Sequence, residues 1–223
     1  GGALPVAVIQ SLQQRLPDTS IYCMYGLTEA FRSTYLDPAE LPRRAGSIGK
    51  AIAGQQVTVR RSDGSLCDPG EVGELVHRGS LVTLGYWNHE ALTAHRFRPV
   101  PHQLTQLKRD DIGVWSGDLA RCDAEGFLYF IGRADEMIKS SGYRISPAEV
   151  EEVVMELPQI VECAAIGMAD DALGQRVVVA VVAHQAAADL PEKVRYHCRV
   201  QLPAYMVPAQ VQVMAALPRN ANG

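Results

Sequence analysis

Four short stretches of the sequence carry side chains that could work on a charged ligand. In Tyr25-Gly26-Leu27-Thr28-Glu29, a hydroxyl and a carboxylate stand side by side after a strand-like run. Magnesium takes hard oxygen ligands, so Thr28 and Glu29 could address a phosphate and its Mg²⁺, while Gly26 would let a ligand approach the backbone. A strand-to-loop turn with a capping threonine explains the same residues. Ser116-Gly117-Asp118 places a carboxylate just after a glycine. A carboxylate is a natural acceptor for two vicinal ribose hydroxyls, although Gly-Asp is also a common turn. In Gly132-Arg133-Ala134-Asp135, Arg133 offers a planar fork suited to phosphate or hydroxyl groups, or is an exposed hairpin arginine. Ser140-Ser141-Gly142-Tyr143-Arg144 reads as a polar loop that presents backbone to a thin ligand or simply connects two domains.

Other patterns fail on spacing. Gly46-Ser47-Ile48-Gly49-Lys50-Ala51 ends like a phosphate loop but lacks the spacing between its glycines and the final hydroxyl. His89-Glu90 is followed by His95, two positions too far for a zinc-protease helix. The six histidines form no ligand cluster, and no structural metal is expected. Cys23, Cys67, Cys122, Cys163 and Cys198 are odd in number and include no C-x-x-C pair, which points to free thiols in a reducing cytoplasm.

The elements that must position these residues fall into two zones. Val6, Ile9, Leu12 and Leu16 lie on one helical face over 5–16, and a short strand, IYCMY, runs into Gly26. From about 46 to 88 the texture is β, with VTVRR and GELVHRG flanking a turn-rich segment. A hairpin is expected around Asp123–Gly126, leading into FLYFIG. Beyond about 135, Ser146-Pro147-Ala148-Glu149 has the signature of a capped helix start. The helix EVEEVVMEL, two strand-like runs, a helical 190–202 and VQVMA then make a small α+β domain.

Composition supports a folded chain of one large or two modest domains: 223 residues, 47% hydrophobic and 21% charged, exclude a disordered polymer. A net charge of −4 without a long basic run argues against nucleic acid as a partner. The longest apolar stretch, Val177–Ala183, is far shorter than a membrane helix, and the first residues lack the basic region of a secretory signal.

Taken in order, Gly1-Gly2-Ala3, YGLTE, GELVHRG with GYWN, SGDLA, GRADEMIKSSGYRISPAEVE and LPRNANG resemble the adenylate-forming superfamily of acyl-CoA synthetases, peptide-synthetase adenylation domains and luciferases. The resemblance implies an α/β plus α+β fold. Residues 1–134 would be the end of the large AMP-binding domain, with its distorted β-barrel, and 135–223 a mobile C-terminal lid. It implies ATP/AMP, Mg²⁺ and CoA or phosphopantetheine as ligands. Thr28 would hold the α-phosphate, Glu29 the Mg²⁺, and Asp118 the ribose. Tyr25, beside Gly26, would pack against adenine. Arg133 would bind nucleotide, Asp135 would be the hinge, and Gly1, Gly2 and Ala3 would line the adenine and acyl pockets. Lys139, Gly142 and Arg144 would face the site during thiol transfer.

The S-P-A-E-V-E ending looks like an acyl-CoA ligase, so a fatty or other organic acid is the expected substrate. Loading of a carrier protein is the alternative, and a non-catalytic nucleotide-binding module the reading of another class. The family's upstream phosphate loop does not occur in the sequence, and its catalytic lysine would fall one residue past Gly223. A C-terminal portion of a ligase, poorly active alone, is therefore expected.

Overall fold

The computed structural model describes residues 6–101, 111–185 and 187–219, and the chain divides between Ala134 and Asp135 into two units. In the first unit, the helical spacing before Pro17 yields α1 (Val6–Arg15), which buries Ile9 with Leu36, Leu41 and Phe127. A three-stranded antiparallel sheet follows: β1 (Cys23–Leu27), β2 (Ala30–Leu36) and, after the one-turn helix α2 (Leu41–Arg44), β3 (Lys50–Ala51). Strand β2 has no clear period-2 pattern, with Ala30, Ser33, Thr34 and Leu36 all buried, so the sequence gives no sign of it.

The second sheet contains β4 (Gln55–Arg60), β5 (Val72–Gly79), β6 (Phe97–Val100), β7 (Asp111–Cys122) and β8 (Leu128–Arg133), with helix α3 (Glu90–Arg96) leading into β6. β7 is the spine: β5 pairs along one edge, while β6 and β8 share the other. Apolar residues fill this sheet's interior in two small clusters, one around Val59, Leu75, Ala120 and Leu128 and one of Val76, Val100 and Trp115. The expected hairpin at Asp123–Gly126 joins β7 to β8, and Asp123 Oδ1 accepts the backbone N–H groups of Glu125 and Phe127. The Arg44 guanidinium pins that hairpin to α2 by pairing with Asp123 at 2.6 Å, with Glu125 and with Glu40.

In the second unit, β9 (Ile138–Ser140) and β10 (Tyr143–Ile145) form a hairpin before helix α4 (Pro147–Met155). The polar loop expected at 140–144 is thus mostly strand, and only Ser141 and Gly142 turn. Strands β11 (Ile160–Asp170) and β12 (Gly174–Ala183), helix α5 (Leu190–Gln201), a short 3-10 turn at Ala204–Met206 and β13 (Gln210–Val213) complete the unit. The sheet order is β10-β9-β12-β11, with β13 parallel to β12. Ser146 caps α4 by accepting the Glu149 N–H, as its spacing predicts. Val150 and Val154 of α4, and Leu190, Val194 and Cys198 of α5, recur every four residues and cover Val177, Val179 and Val181 in one core. Burying each such side chain contributes about 1.5–3 kcal/mol, so this single cluster carries the unit.

Candidate active site

The site of the first unit grows from an irregularity in β7. Trp115 pairs with Val76 and Leu119 with Glu74, so three residues, Ser116-Gly117-Asp118, stand opposite the single Leu75. Such a bulge re-aims a side chain that a regular ladder would hold in line. Local bonds fix it. The Ser116 hydroxyl donates to the Leu75 carbonyl at 2.7 Å, the Asp118 N–H donates to Ser116 Oγ at 3.0 Å, and the Gly117 N–H donates to Glu74 Oε1 at 2.9 Å. Gly117 has a φ of +75°, a left-handed conformation that favours glycine, and a Cβ there would crowd the flexible end of Arg96.

The bulge delivers a carboxylate that is nearly buried, with its side chain 10% exposed. Asp118 is the register partner of Arg133 on β8, whose Nη1 donates to Asp118 Oδ1 at 3.2 Å. From β1, the Tyr25 hydroxyl donates to Oδ2 at 2.5 Å. Burial, then the Asp118 charge, pushes the Tyr25 hydroxyl well above the usual phenol range, so it remains a donor. A carboxylate is an acceptor at both oxygens, the chemistry that a vicinal diol requires.

The Tyr25 ring sits 5.9 Å from His77 and 6.2 Å from Phe130. His77 is fully buried, neither ring nitrogen has a hydrogen-bond partner among the described residues, and burial lowers its pKa to about 4. It is neutral packing behind Tyr25. No pattern in the sequence distinguishes it, because it occupies an interior strand position like its apolar neighbours.

Thr28 and Glu29 form the two-residue connection of the β1–β2 hairpin, with Leu27 paired to Ala30. Thr28 is exposed and Glu29 half-buried. Gly26 does have a close backbone neighbour, but it is Arg32 of the same hairpin. A Cβ at 26 would lie 2.2 Å from the Arg32 nitrogen, which accounts for the glycine before any ligand is considered. Segment 80–88 runs beside this tip: Val82 bridges Ala30, and the Thr83 N–H donates to the Glu29 carbonyl at 2.9 Å.

Tyr86 in that segment donates its hydroxyl to Glu29 Oε1. Its backbone is tied to α3 through Thr93 Oγ1 at 2.9 Å, and its ring meets Phe97 edge-on. Desolvation and the Glu29 contact push the Tyr86 hydroxyl up to about 12. The motif GYWN marks this stretch, but its tyrosine was not among the expected site residues. A hydroxyl and a single oriented carboxylate, both hard oxygen donors, fit Mg²⁺, which keeps waters and takes phosphate oxygens for its remaining positions. Among the described residues, no group of three or more His, Cys, Asp or Glu gathers into an all-protein metal site.

Asp135 is exposed, in the turn 134–136 that opens the second unit. Lys139 and Arg144 are direct partners across the β9–β10 hairpin, and both are exposed. Two cations facing each other destabilise a hairpin on their own and suit an anionic ligand. Ser141 (φ +50°) and Gly142 (φ +83°) close it with two left-handed residues, the geometry that matches strand twist in a two-residue turn. Nothing lies within 4 Å of a Cβ built at Gly142, so its backbone is open on that side. Gly1, Gly2 and Ala3 lie outside the described residues. Two shallow hollows, one of about 520 Å³ beside Gln56, Arg78 and Ile112 and one of about 420 Å³ beside Leu157, Tyr196 and His197, include none of the expected site residues.

Two family models match the sequence. The model described as AMP-binding enzyme matches residues 1–87, and that described as AMP-binding enzyme C-terminal domain matches residues 149–223. The chain belongs to the AMP-binding enzyme family. Within the family it is 35% identical over 201 residues to a sulfoacetate–CoA ligase of Cupriavidus necator, covering 89% of this chain and 37% of that protein. It is 33% identical over 224 residues to a long-chain-fatty-acid–CoA ligase of Yersinia pestis, covering 100% of this chain and 38% of the relative.

Among solved structures, the o-succinylbenzoate CoA synthetase of Bacillus subtilis, in complex with its acyl-adenylate intermediate, superimposes with a TM-score of 0.86 at 29% identity. The match covers 100% of this chain and 43% of that one. The same synthetase in complex with ATP and magnesium ion gives a TM-score of 0.85. The expected α/β plus α+β architecture is therefore that of an adenylate-forming enzyme's C-terminal portion, and the chain spans less than half the length of these relatives. Among the described residues no helix is long and apolar enough to cross a membrane.

Proposed function

We propose that this chain serves an AMP-forming acid–thiol ligase, which activates a carboxylic acid with ATP and passes the acyl group to the thiol of CoA. The observation that carries the reading is the Asp118 carboxylate, aimed by a bulge and held from both sides by Tyr25 and Arg133, an acceptor of the kind a ribose diol requires. Similarity to CoA ligases supports the reaction class. A fatty or other organic acid is the proposed substrate class, ahead of an amino acid.

In the first half-reaction a carboxylate oxygen of the acid attacks the α-phosphorus, forming the acyl-adenylate and releasing pyrophosphate. Such a transfer needs positioning and charge neutralisation more than covalent help. Asp118 fixes the ribose, Tyr25 and Arg133 fix Asp118, and the Thr28 hydroxyl is offered to the α-phosphate. Tyr86 orients Glu29, the residue that would hold Mg²⁺. When bound, Mg²⁺ supplies neutralisation of the phosphoryl charge. In the second half-reaction the thiol sulfur of CoA attacks the acyl carbonyl carbon and AMP leaves. Lys139 and Arg144 then supply positive charge, and the open backbone at Gly142 gives the thiol arm a path. Asp135 is the proposed hinge between the two states.

The test is mass spectrometry of the chain with ATP, Mg²⁺, CoA and a panel of fatty, aryl and amino acids, alongside the same protein extended to the length of its relatives. Acyl-adenylate and acyl-CoA from an organic acid are expected with the longer protein. In that protein Gly142→Leu should spare adenylate formation and suppress the thioester, because a side chain would fill the thiol's path. Transfer to a carrier protein but not to CoA would reassign the acceptor. The absence of any adenylate from the longer protein would favour a nucleotide-binding module without chemistry.

A further inference from the structure

Arg96 ends α3 and was absent from the expected site. Its backbone passes directly into β6, and its guanidinium reaches across to the β7 bulge, where Nη1 donates to the Trp115 carbonyl at 3.3 Å. That bond is longer than the usual range for N–H···O, and it uses one of five N–H donors. Among the described residues Arg96 has no carboxylate partner. Arg96 is half-buried, and a partly desolvated cation is favoured by an anion beside it.

Two contacts locate that anion. On one side the guanidinium lies against Gly117, next to Asp118: a Cβ at Gly117 would come within 2.4 Å of Nη1. On the other side the next residue, Phe97, meets the ring of Tyr86, whose hydroxyl donates to Glu29. Glu29 accepts from that hydroxyl, and Asp118 from Tyr25 and Arg133. Arg96 therefore stands between the carboxylate suited to a ribose and the carboxylate suited to a metal. In a metal-bound nucleotide, the group between ribose and metal is the phosphoryl chain.

We propose that Arg96 is a further ligand-binding residue of this site, receiving phosphoryl oxygens of the bound nucleotide or of released pyrophosphate. A guanidinium fork matches two oxygens of one phosphate at once, which an ammonium cannot do. The inference rests on the nucleotide reading above, and it adds a second cation to Arg133, whose guanidinium donates to Asp118.

Isothermal titration of adenosine, AMP and pyrophosphate into the chain and into Arg96→Met and Arg96→Lys tests it. AMP or pyrophosphate affinity is expected to fall about tenfold in Arg96→Met, as for loss of a charged hydrogen bond. Adenosine affinity should stay within about twofold, because the ribose carboxylate is retained. Arg96→Lys should recover part of the loss by keeping the charge. Loss for AMP alone would place the contact on the α-phosphate, and loss for pyrophosphate alone on the leaving group.

Equal losses for adenosine and AMP would overturn the inference, reducing Arg96 to a support for the Gly117–Asp118 bulge. Unchanged affinity for both anions in Arg96→Met would also overturn it. If the unsubstituted chain binds adenosine and AMP equally and takes no pyrophosphate, the phosphate role falls while the nucleoside site stands. If neither it nor the protein extended to the length of its relatives binds any of them, the nucleotide reading falls with it.

Discussion

The two units hold the residues proposed for the site by opposite means. In the first, Asp118 is nearly buried and every group around it is fixed by a bond: Tyr25 and Arg133 on its oxygens, Ser116 on its N–H, and Glu74 on the neighbouring Gly117. Its apolar clusters are small and separate. In the second, one continuous core supports the sheet, and Lys139, Gly142 and Arg144 project from an exposed hairpin set only by its turn. A site that must discriminate a ligand's atoms needs preorganised polar contacts, which only a buried network supplies. A face that meets a flexible thiol arm, the role proposed for this hairpin, can rely on charge and open backbone.

Four substitutions or conditions would sharpen or break this contrast. The largest effect is expected from Gly26→Ala. The added methyl meets the backbone of Arg32, which cannot rotate away as a side chain would, so a loss of more than about 3 kcal/mol is expected. Chemical denaturation should show it together with loss of nucleotide binding. Retained stability would mean that the β1–β2 hairpin is free to shift and that the first unit is not tightly fixed.

Acid should come next. His77 binds a proton in the unfolded chain below its ordinary pKa of 6.5, whereas in the folded chain it does so only near 4. The unfolded state therefore holds more protons between these values, and stability falls as pH drops from about 6.5 to 4, by about 3 kcal/mol in all. His77→Val should flatten that part of the profile in denaturant titrations at several pH values. An identical slope in the variant would show that His77 is hydrated or paired.

For nucleotide binding, Asp118→Ala should weaken ATP affinity by about 1.5–3 kcal/mol, the range for a hydrogen bond to a charged group. It also removes the acceptor of the Tyr25 hydroxyl and of Arg133 Nη1, so Asp118→Asn should retain part of the affinity. Unchanged affinity in Asp118→Ala would remove this carboxylate from the ribose role.

Gly142→Ala should have the smallest effect, about 1 kcal/mol of stability, since a left-handed φ is strained for alanine but the surrounding space is open. Thermal unfolding of the second unit's variants would measure it. A cost as large as that of Gly26→Ala would mean that the β9–β10 hairpin is packed rather than open, and the contrast between the units would fail.

Much of this was legible in the sequence, for local reasons. The Ser146 cap requires only a hydroxyl three residues before a free N–H, and α4 and α5 follow from apolar spacing alone. The ordered motifs sufficed to place Thr28, Glu29, Asp118 and Arg133 in a family, because each sits in a short, distinctive string. Strand β2 was not legible, since a strand buried unevenly on both faces has no alternation to read. The polar run 140–144 gave no sign of its cross-strand pairing, which depends on two consecutive left-handed residues.

Only the tertiary structure decided that Tyr25 and Arg133, from strands 108 residues apart in sequence, would meet on Asp118, and that Tyr86 would orient Glu29. The same holds for Arg96 and His77, whose meaning lies entirely in what faces them. The side-chain types and their order are written in the chain, but a bulge of three residues against one sets where a carboxylate points. That offset belongs to the pairing of two strands, so neither strand's sequence contains it alone.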